Sequence, residues 1–305
     1  MRREAKAEAW MPEGNEIHRW AARHAAAFAG KTVRVDGPQG RFTDAAVLDG
    51  RKLLGVKAVG KHLGYDFGKD RLLHVHLGLQ GDFTEGSGPL PAVKGALRLR
   101  MWNATAVKKP AVELGSRKHS WYSEDDGTAN IPAEQIAWVE LRGPMDCTVY
   151  SQEMWETLER RLGPDPLNGD GPERALAKIA KSKKPIGVLL MEQDVMAGVG
   201  NIFRAELLYR ARLSPFTPGA SVPVVTLRKI WKDAAPLMRA GMIDRRIVTT
   251  LAKDRPHKRG PVLKEETHYV YRRNGKPCWV CGTRVMKMEG FAGRNLFWCP
   301  VCQKG

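Results

Sequence analysis

Hydrophobic and polar positions follow a helical period at the start of the chain and a strand-like period after it. In residues 17–28, apolar and alanine positions recur at helical spacing, and Gly30 follows as a stop signal. This pattern predicts a helix behind the pair Pro12 and Glu13. In residues 31–83, short segments rich in Val and Leu alternate with turns that contain glycine. The pattern there predicts a β sandwich or barrel of short strands.

Strand-like segments recur further along, but a polar stretch interrupts them. Residues 97–102 and 137–141 read as strands, whereas residues 103–135 are turn-rich and show little periodicity. We interpret the latter as an inserted loop. The turn at 163–173 is dense in Pro, Gly and Asp, so we place a domain boundary there.

Beyond that boundary the period becomes helical. Residues 175–216 contain two apolar-periodic runs separated by A-G-V-G-N, which predicts a helix, a tight glycine turn and a second helix beginning near Asn201. Further helices are predicted at 226–240 and 244–253. Residues 254–267 are a charged linker, and the remaining segment is short, aromatic and cysteine-bearing.

The charge balance narrows the class of partner. In 305 residues, 50 Lys and Arg face 33 Asp and Glu, a net charge of +17, which favours a polyanionic partner such as nucleic acid or an anionic membrane surface. The chain contains no apolar run of about 18 residues, the length that a membrane-spanning helix needs. The opening MRREAKAEAW lacks the apolar core of a signal peptide. We therefore expect an intracellular protein that does not enter a membrane.

Four of the five cysteines form two CxxC pairs near the end of the chain. Two such pairs at this separation suit a structural Zn²⁺ with four thiolate ligands and no open position for catalysis. A redox or iron–sulfur role has no further ligand to support it. The segments VYRRNGKPC and GRNLFWCP predict a β hairpin under the metal, with Arg294 at a rigid tip where it could contact a phosphate. The predicted ligands are Cys278, Cys281, Cys299 and Cys302.

The helix that begins at G-V-G-N offers backbone N–H groups and a positive dipole end to an anion. Asn201 could add a side-chain donor there, or it could only cap the helix while Gly198 and Gly200 permit the turn. The surrounding basic residues favour a nucleic-acid face. They are Lys178, Lys181, Lys183, Lys184, Arg204, Arg210 and Arg212.

Four residues within the first 80 allow both a structural and a functional interpretation. Lys61 follows a glycine at a turn, where a lysine is most often solvated. Leu79 lies between glycines and is either core or an apolar probe that fills the gap left by an extruded base. Pro12 and Glu13 either open a helix or, if Met11 is the true start, place a proline at the N-terminus.

Taken together, these motifs resemble the formamidopyrimidine-DNA glycosylase and endonuclease VIII family of base-excision enzymes. The matching stretches are MPEG at 11–14, GKHL at 60–63, HLGLQG at 76–81, VGNIFRAELL at 199–208 and GRNLFWCPVCQ at 293–303. The resemblance covers nearly all of the chain past residue 10, except the inserted loop and parts of the linker. The start MPEGNEIHR is closer to the endonuclease VIII branch.

The resemblance implies an α+β fold in four parts. Residues 1–10 would be an N-terminal extension, and 11–163 a catalytic β-sandwich domain flanked by helices, with the insertion at about 103–135. Residues 164–267 would form a helical domain with a helix–two-turn–helix motif, and 268–305 a zinc-finger β hairpin. The family also implies a bacterial, cytoplasmic, nucleoid-associated monomer that acts on damaged double-stranded DNA.

The resemblance further implies a role for each candidate residue. Pro12 matches the nucleophile that forms a Schiff base with the sugar, and Glu13 the acid–base residue. Lys61 matches the catalytic hairpin lysine that contacts the phosphodiester beside the lesion and assists protonation. The remaining matches are Asn201 and Arg294, which pinch the phosphates around the flipped nucleotide, and Leu79, the apolar wedge. The zinc would be structural.

Three points stay open at this level. While a preceding residue acylates Pro12, its nitrogen is an amide and cannot attack, so we expect translation to start at Met11 or residues 1–10 to be removed. Oxidised pyrimidines are the expected lesions, with the purine 8-oxoguanine as the alternative within the family. Outside it, a non-catalytic zinc-ribbon protein that binds DNA or RNA remains the rival interpretation.

Overall fold

The computed structural model describes residues 12–105 and 131–304, which form two compact units. Of these, Pro12 and the residues from Ile17 to Leu158 belong to unit 1, and Glu13–Glu16 and the residues from Glu159 onward belong to unit 2. The N-terminal extension and most of the predicted insertion lie outside the described residues. The division falls a few residues before the predicted boundary turn.

Unit 1 is built mainly from short strands, as the alternating pattern predicts. Its helical elements are α1 (Gly14–Phe28), whose first residues group with unit 2, the one-turn α2 (Ala45–Leu48), a 3₁₀ turn (Ala133–Gln135) and α3 (Gln152–Arg161), whose last residues group with unit 2. Its strands are β1 (Thr32–Asp36), β2 (Arg51–Lys52), β3 (Gly55–Val59), β4 (His62–Asp66), β5 (Leu72–His76), β6 (Asp82–Gly86), β7 (Leu97–Asn103), β8 (Trp138–Arg142) and β9 (Asp146–Tyr150).

The strands form two antiparallel sheets with one core. One sheet has the order β2-β1-β7-β8-β6 and the other the order β3-β4-β5-β9. Side chains alternate across each strand, so β1 buries Val33 and Val35 and exposes the residues between them. These pack in one cluster with Leu63 and Leu73 of the second sheet. The unit is therefore a sandwich, and the predicted sandwich is confirmed.

Two tight turns of unit 1 present candidate residues. The hairpin between β3 and β4 turns at Gly60, whose φ of +58° suits glycine, and Lys61 follows it. After β5, Gly78 at φ +67° leads into Leu79. A Cβ on Gly78 would lie 2.8 Å from the Met145 side chain, so this turn also needs a residue without a side chain.

Unit 2 is mainly helical and ends in a two-stranded hairpin. Its helices are α4 (Glu173–Ala180), α5 (Ile186–Leu189), α6 (Asn201–Arg210) and α7 (Val224–Asp244), with 3₁₀ turns at Gly219–Ser221, Ala252–Asp254 and Lys264–Glu266. The hairpin strands are β10 (Met286–Phe291) and β11 (Arg294–Trp298), which pair antiparallel. Within the described residues, no helix is long and apolar enough to cross a membrane. The predicted α+β class is confirmed.

Several predicted elements of unit 2 differ from those observed. The first apolar run forms two short helices, α4 and α5, because Pro185 breaks the run between them. The helix predicted at 244–253 is wrong: α7 runs on to Asp244, and Arg245 ends it in the left-handed conformation at φ +54°. The segment 270–278 is also not a strand, since β10 begins at Met286.

Candidate functional site

The Glu13 carboxylate lies at the N-terminus of α6, within unit 2. Its Oε1 accepts a hydrogen bond from the backbone N–H of Ile202 at 2.6 Å. Its Oε2 accepts from the N–H groups of Gly200 at 3.1 Å and Phe203 at 3.2 Å. These are the donors that a helix leaves unpaired in its first turn. Glu13 is only 2% exposed, so it occupies the anion position that sequence reasoning had offered to an external phosphate.

Three glycines allow the Glu13 carboxylate to lie this close to the start of α6. A Cβ on Gly200 would lie 2.4 Å from the Glu13 carboxyl carbon. Gly14 donates its N–H to the Gly198 carbonyl at 2.8 Å, and a Cβ on Gly14 would lie 2.7 Å from the Gly198 Cα. Gly198 itself adopts φ +88°. The glycines of PEG and GVG therefore do more than permit a turn, because each lets one backbone segment approach the other.

The surroundings of Glu13 favour its ionised form. Three N–H donors and the positive end of the α6 dipole stabilise a carboxylate. Glu13 can therefore receive a proton and return it. Pro12 directly precedes it in the chain and is half-buried, so the position of Glu13 restricts where Pro12 can lie.

Asn201 connects α6 to the β10–β11 hairpin. It is 5% exposed, and its Nδ2 donates to the carbonyl of Asn295 at 3.1 Å. Asn295 directly follows Arg294, which begins β11 and is half-buried. Asn201 and Arg294, predicted from separate motifs, are therefore brought to the same junction of unit 2.

Arg204 stabilises that junction with further hydrogen bonds. Its guanidinium donates to the Asn201 Oδ1, to the carbonyl of Asn295 at 3.1 Å and to the carbonyl of Phe291 at 3.2 Å. Burial lowers the pKa of Arg204 to about 10, so it still carries its charge at neutral pH. Arg204 thus joins both strands of the hairpin, beside its turn, to the first turn of α6.

The predicted basic face must be corrected at four of its residues. Arg204 is fully buried, and Arg210 binds both carboxylate oxygens of Asp233 and the carbonyl of Thr249. Lys178 pairs with Asp194, and Lys184 with Glu192. In a sequence, a charged residue in a helical pattern indicates a helix face in contact with water. Here Arg204 and Arg210 instead bind groups within the protein, and Lys178 and Lys184 form ion pairs with acidic neighbours. Lys181, Lys183 and Arg212 remain exposed, so the basic face of unit 2 is narrower than predicted.

Lys61 and Leu79 lie on the turns of unit 1 described above. Lys61 is half-buried, and Leu79 is 40% exposed. Leu79 therefore does not belong to the sandwich core. Met145, which is 69% exposed, packs against Gly78 beside it, and its position in the turn before β9 gave no signal in the sequence.

The four predicted zinc ligands converge in unit 2. Their Sγ atoms all lie within 4.8 Å of one another, with Cys281 and Cys299 at 3.5 Å and Cys278 and Cys302 at 3.9 Å. Four thiolates at this separation suit one tetrahedral Zn²⁺ and leave no position for a substrate. The chain therefore carries one structural zinc site, as predicted.

Hydrogen bonds attach the zinc site to the helices of unit 2. The Gln303 Oε1 accepts from the Cys299 N–H at 2.8 Å, and its Nε2 donates to the Leu213 carbonyl at 3.1 Å. The Tyr209 hydroxyl lies 3.1 Å from the Cys278 Sγ. Partners of this kind orient metal ligands.

Glu206 is a structural residue that sequence reasoning missed. It is fully buried in α6, and its Oε1 accepts from the N–H groups of Val270 at 2.9 Å and Tyr271 at 2.8 Å. Its Oε2 accepts from the Tyr269 N–H at 2.8 Å and from the Thr249 hydroxyl. One carboxylate thus binds the end of the linker to α6. A glutamate in a helical run usually faces solvent, so no pattern distinguishes it.

A β sandwich, a glycine-turn helix whose N-terminus holds an acidic residue, and a four-cysteine hairpin define the class of zinc-finger DNA glycosylases. Family profiles match the same parts of the chain. Residues 11–111 match the formamidopyrimidine-DNA glycosylase N-terminal domain, and 162–252 its H2TH domain. Residues 275–305 match the zinc finger found in FPG and IleRS.

Whole-chain relatives specify the family. Endonuclease 8 1 of Mycobacterium tuberculosis is 40% identical over 300 residues, which cover 96% of this chain and 100% of the relative. Formamidopyrimidine-DNA glycosylase of Thermus thermophilus is 28% identical over 301 residues, covering 96% and 98%. The chain belongs to the formamidopyrimidine-DNA glycosylase and endonuclease VIII family, the DNA glycosylases of base-excision repair.

Solved structures share the fold. A Lactococcus lactis FPG mutant in complex with a Fapy-dG-containing DNA matches with a TM-score of 0.71 at 20% identity, covering 96% of this chain and 100% of that one. The MutM (FPG) protein of Thermus thermophilus matches with a TM-score of 0.67 at 24% identity, covering 96% and 98%.

Proposed function

We propose that the protein is a bifunctional DNA glycosylase and AP lyase that removes oxidised bases and cleaves the strand at the resulting site. The observation that carries the proposal is the position of Glu13. A buried carboxylate held by three N–H groups of α6 directly follows a proline in the chain. This places an acid–base group next to a residue able to act as a nucleophile.

Pro12 is the proposed nucleophile once it is the first residue of the chain. Its secondary amine then has a free lone pair, which attacks the sugar C1′ as the damaged base leaves, and an iminium ion results. Elimination at the β and δ positions breaks the strand on both sides of the sugar. An acylated Pro12 cannot react in this way, so we propose that active chains either start at Met11 and lose it or are cleaved directly before Pro12.

Glu13 is the proposed proton carrier. The prolyl nitrogen loses its proton as its bond to C1′ forms, and the Glu13 carboxylate beside it can accept that proton and pass it to the ring oxygen as the deoxyribose opens. The N–H groups that hold Glu13 favour the carboxylate afterwards. The same contacts keep the group in one orientation, which acid–base catalysis requires.

Four other residues are proposed to bind the DNA. Asn201 and Arg294, at the junction of α6 with the hairpin, contact the phosphates around the flipped nucleotide. Lys61 contacts the phosphodiester beside the lesion. Leu79 enters the space that the extruded base leaves, since an exposed apolar side chain on a tight turn can replace its stacking.

We propose oxidised pyrimidines in double-stranded DNA as the main substrates. The M. tuberculosis relative named Endonuclease 8 1 is 40% identical, against 28% for the formamidopyrimidine-DNA glycosylase of T. thermophilus. The enzyme is proposed to work as a monomer on the bacterial nucleoid. A competition assay with duplexes carrying 5-hydroxycytosine or 8-oxoguanine tests the lesion preference, and faster release of 8-oxoguanine would place the enzyme with the purine-directed branch.

Borohydride trapping tests the nucleophile. Protein begun at Met11 and the full 305-residue chain are each incubated with a duplex that has one abasic site, and mass spectrometry identifies the first residue of each protein. We expect a covalent adduct only from chains whose first residue is Pro12. An adduct from chains with an intact extension would assign the reaction to another amine, such as Lys61. Binding without an adduct from either protein would favour a non-catalytic DNA-binding protein.

A further inference from the structure

Three histidines and one aspartate lie on the outer face of the β3-β4-β5-β9 sheet. His62 of β4 and Asp146 of β9 both pair in register with His76 of β5. His74 lies two residues from His76, so its side chain is on the same face. This face points away from the sandwich core and is covered in part by Trp155 of α3, whose ring centroid lies 6.1 Å from that of His74.

Hydrogen bonds join three of these groups in a chain. The His74 Nδ1 lies 2.9 Å from the Asp146 Oδ2, and the His74 Nε2 lies 2.9 Å from the His62 Nδ1. The His74 side chain is only 3% exposed. Tyr150 stacks on its ring at a centroid distance of 4.5 Å. We refer to Asp146, His74 and His62 as the histidine relay.

The relay is not arranged as a metal site. In the part of the chain that the structure describes, the four zinc-finger cysteines are the only group of three or more His, Cys, Asp or Glu whose ligand atoms lie within 4.8 Å of one another. The short contacts of the relay instead have the length and direction of hydrogen bonds.

Chemistry determines where each proton of the relay lies. Burial opposes ionisation of Asp146, but hydrogen bonds from Thr148 and His74 hold its pKa below the ordinary value. The carboxylate therefore accepts, and His74 carries a proton on Nδ1. Burial lowers the pKa of His74 against the charge of Asp146, so the ring is neutral and its Nε2 has a lone pair. His62 must then donate from its own Nδ1.

The end of the relay lies beside Lys61. His62 follows Lys61 directly in the turn between β3 and β4. Burial is the main cause that lowers the pKa of His62 to about 3, and the neighbouring histidines and the ammonium of Lys61 act in the same direction. His62 is therefore a neutral ring at pH 7, and its Nε2 is the ring atom that can still accept a hydrogen bond.

We propose that Asp146 and His74 are positioning residues for Lys61, because they hold His62 as the neutral Nδ1–H tautomer at the base of the turn that carries the lysine. This inference rests on the proposed function of Lys61 at the DNA backbone. The middle member of the relay, His74, is buried in the sheet face and only 3% exposed, and its contact with His62 sets the ring and the tautomer next to the lysine. The neutral His62 ring therefore adds no positive charge next to the Lys61 ammonium in the turn.

A double-mutant cycle tests the action through Lys61. His74→Phe keeps a ring between Tyr150 and Trp155 but removes both nitrogens. We expect it to slow single-turnover cleavage of an abasic-site duplex about tenfold, the size of loss seen when a residue that orients a functional side chain is removed. The Kd for the duplex should change by less than about twofold. In a Lys61→Ala background the same change should have no further effect on the rate. Equal slowing in both backgrounds would overturn the proposal, because a general loss of structure would be additive.

Nitrogen-15 NMR of the histidine rings tests the relay without DNA. We expect wild-type protein to show His62 with its proton on Nδ1, and His74→Phe to lose that preference. Thr148→Val is the matched control, since Thr148 binds the other oxygen of Asp146 and leaves the His74 contact in place. It should retain both the tautomer and the cleavage rate. His62 with its proton on Nε2 would overturn the relay. If wild-type protein does not cleave the duplex, the proposed function is wrong, whereas the NMR spectra still decide whether the relay holds the His62 tautomer.

Discussion

Two buried glutamates show how a single side chain organises the backbone around it. Glu13 and Glu206 both accept hydrogen bonds from several backbone N–H groups, and both are at most 2% exposed. Glu13 binds the start of α6, whereas Glu206 lies within α6 and binds residues 269–271. A buried carboxylate is tolerated only when such donors replace water. Glu13 and Glu206 therefore have different roles, but in both cases backbone N–H donors replace the water that a carboxylate would otherwise bind.

Glu206→Gln should destabilise the protein without touching the proposed active site. The amide has one oxygen in place of two, so at least one of the N–H groups of residues 269–271 would lose its acceptor. We expect a loss of about 1–3 kcal/mol in the free energy of unfolding, measured by urea denaturation. Glu265→Gln, on the exposed side of a neighbouring 3₁₀ turn, is the control. Equal stability of the two variants would contradict the role given to Glu206.

Glu13→Gln should separate chemistry from binding. The amide fills the same space but cannot transfer a proton as a carboxylic acid does, so cleavage at an abasic site should slow by a factor of about 100 or more. Single-turnover kinetics and duplex binding would be measured on chains that begin with Pro12. Glu153→Gln, exposed at the start of α3, serves as the comparison. An unchanged rate in the Glu13→Gln variant would assign proton transfer to another group.

Residue chemistry also explains which parts of the site were predictable. The four cysteines and Asn201 could be predicted from their spacing in the sequence, because a metal site and the start of a helix each need certain residue types at fixed intervals. Arg204 and Glu206 carry no such signal, since a charged residue in a helical run has the same pattern whether it faces water or a buried partner. Glu13 lies between these cases: its identity was predicted, but not the three N–H groups that hold it.

At the level of elements, the start of α6 depends on close approach between two chain segments. Gly200→Ala would place a Cβ at 2.4 Å from the Glu13 carboxyl carbon, and one of the two must move. We expect lower thermal stability and slower abasic-site cleavage, because the carboxylate would lose its N–H partners. Gly88→Ala is the matched control, since a Cβ there meets nothing within 4 Å. Loss of cleavage in both variants would argue against this explanation.

The zinc hairpin is the second element whose loss can be predicted. Chelation of the metal, or Cys299→Ser, should release β10, β11 and Gln303 from α6, because thiolate ligation replaces a hydrophobic core in so short a segment. Binding to duplexes of any sequence should weaken alike, and metal analysis should give one zinc per chain before treatment. Full duplex binding by Cys299→Ser protein without zinc would refute the structural role.

Element boundaries were less predictable than element types. The strands of the sandwich and the start of α6 follow from periodicity and turn residues. The helix predicted at 244–253 fails because Arg245 adopts the left-handed conformation and the following residues bond to other segments: the Thr249 N–H donates to the Thr267 carbonyl, and the Thr250 hydroxyl to that of Glu266. These partners are distant in sequence, so no local pattern reports them.

At the level of the whole molecule, the net charge of +17 predicts duplex binding that falls steeply with salt. Each phosphate that the protein neutralises releases condensed counterions, so the slope of log K against log salt counts those contacts. Much of the basic charge is committed internally, as Arg204 and Arg210 show. The slope should therefore be far smaller than the net charge.

Arg294→Gln tests whether one of these contacts lies on the hairpin. If Arg294 neutralises one phosphate, the variant should reduce the magnitude of the salt slope by about one and weaken binding to all sequences by a similar factor. Arg228→Gln is the control, because Arg228 already pairs with Glu173 at 3.3 Å. A slope unchanged by Arg294→Gln, with β10 and β11 intact by circular dichroism and zinc content, would remove Arg294 from the DNA contacts. The phosphate role would then rest on Asn201 and Lys61, of which only the lysine carries charge.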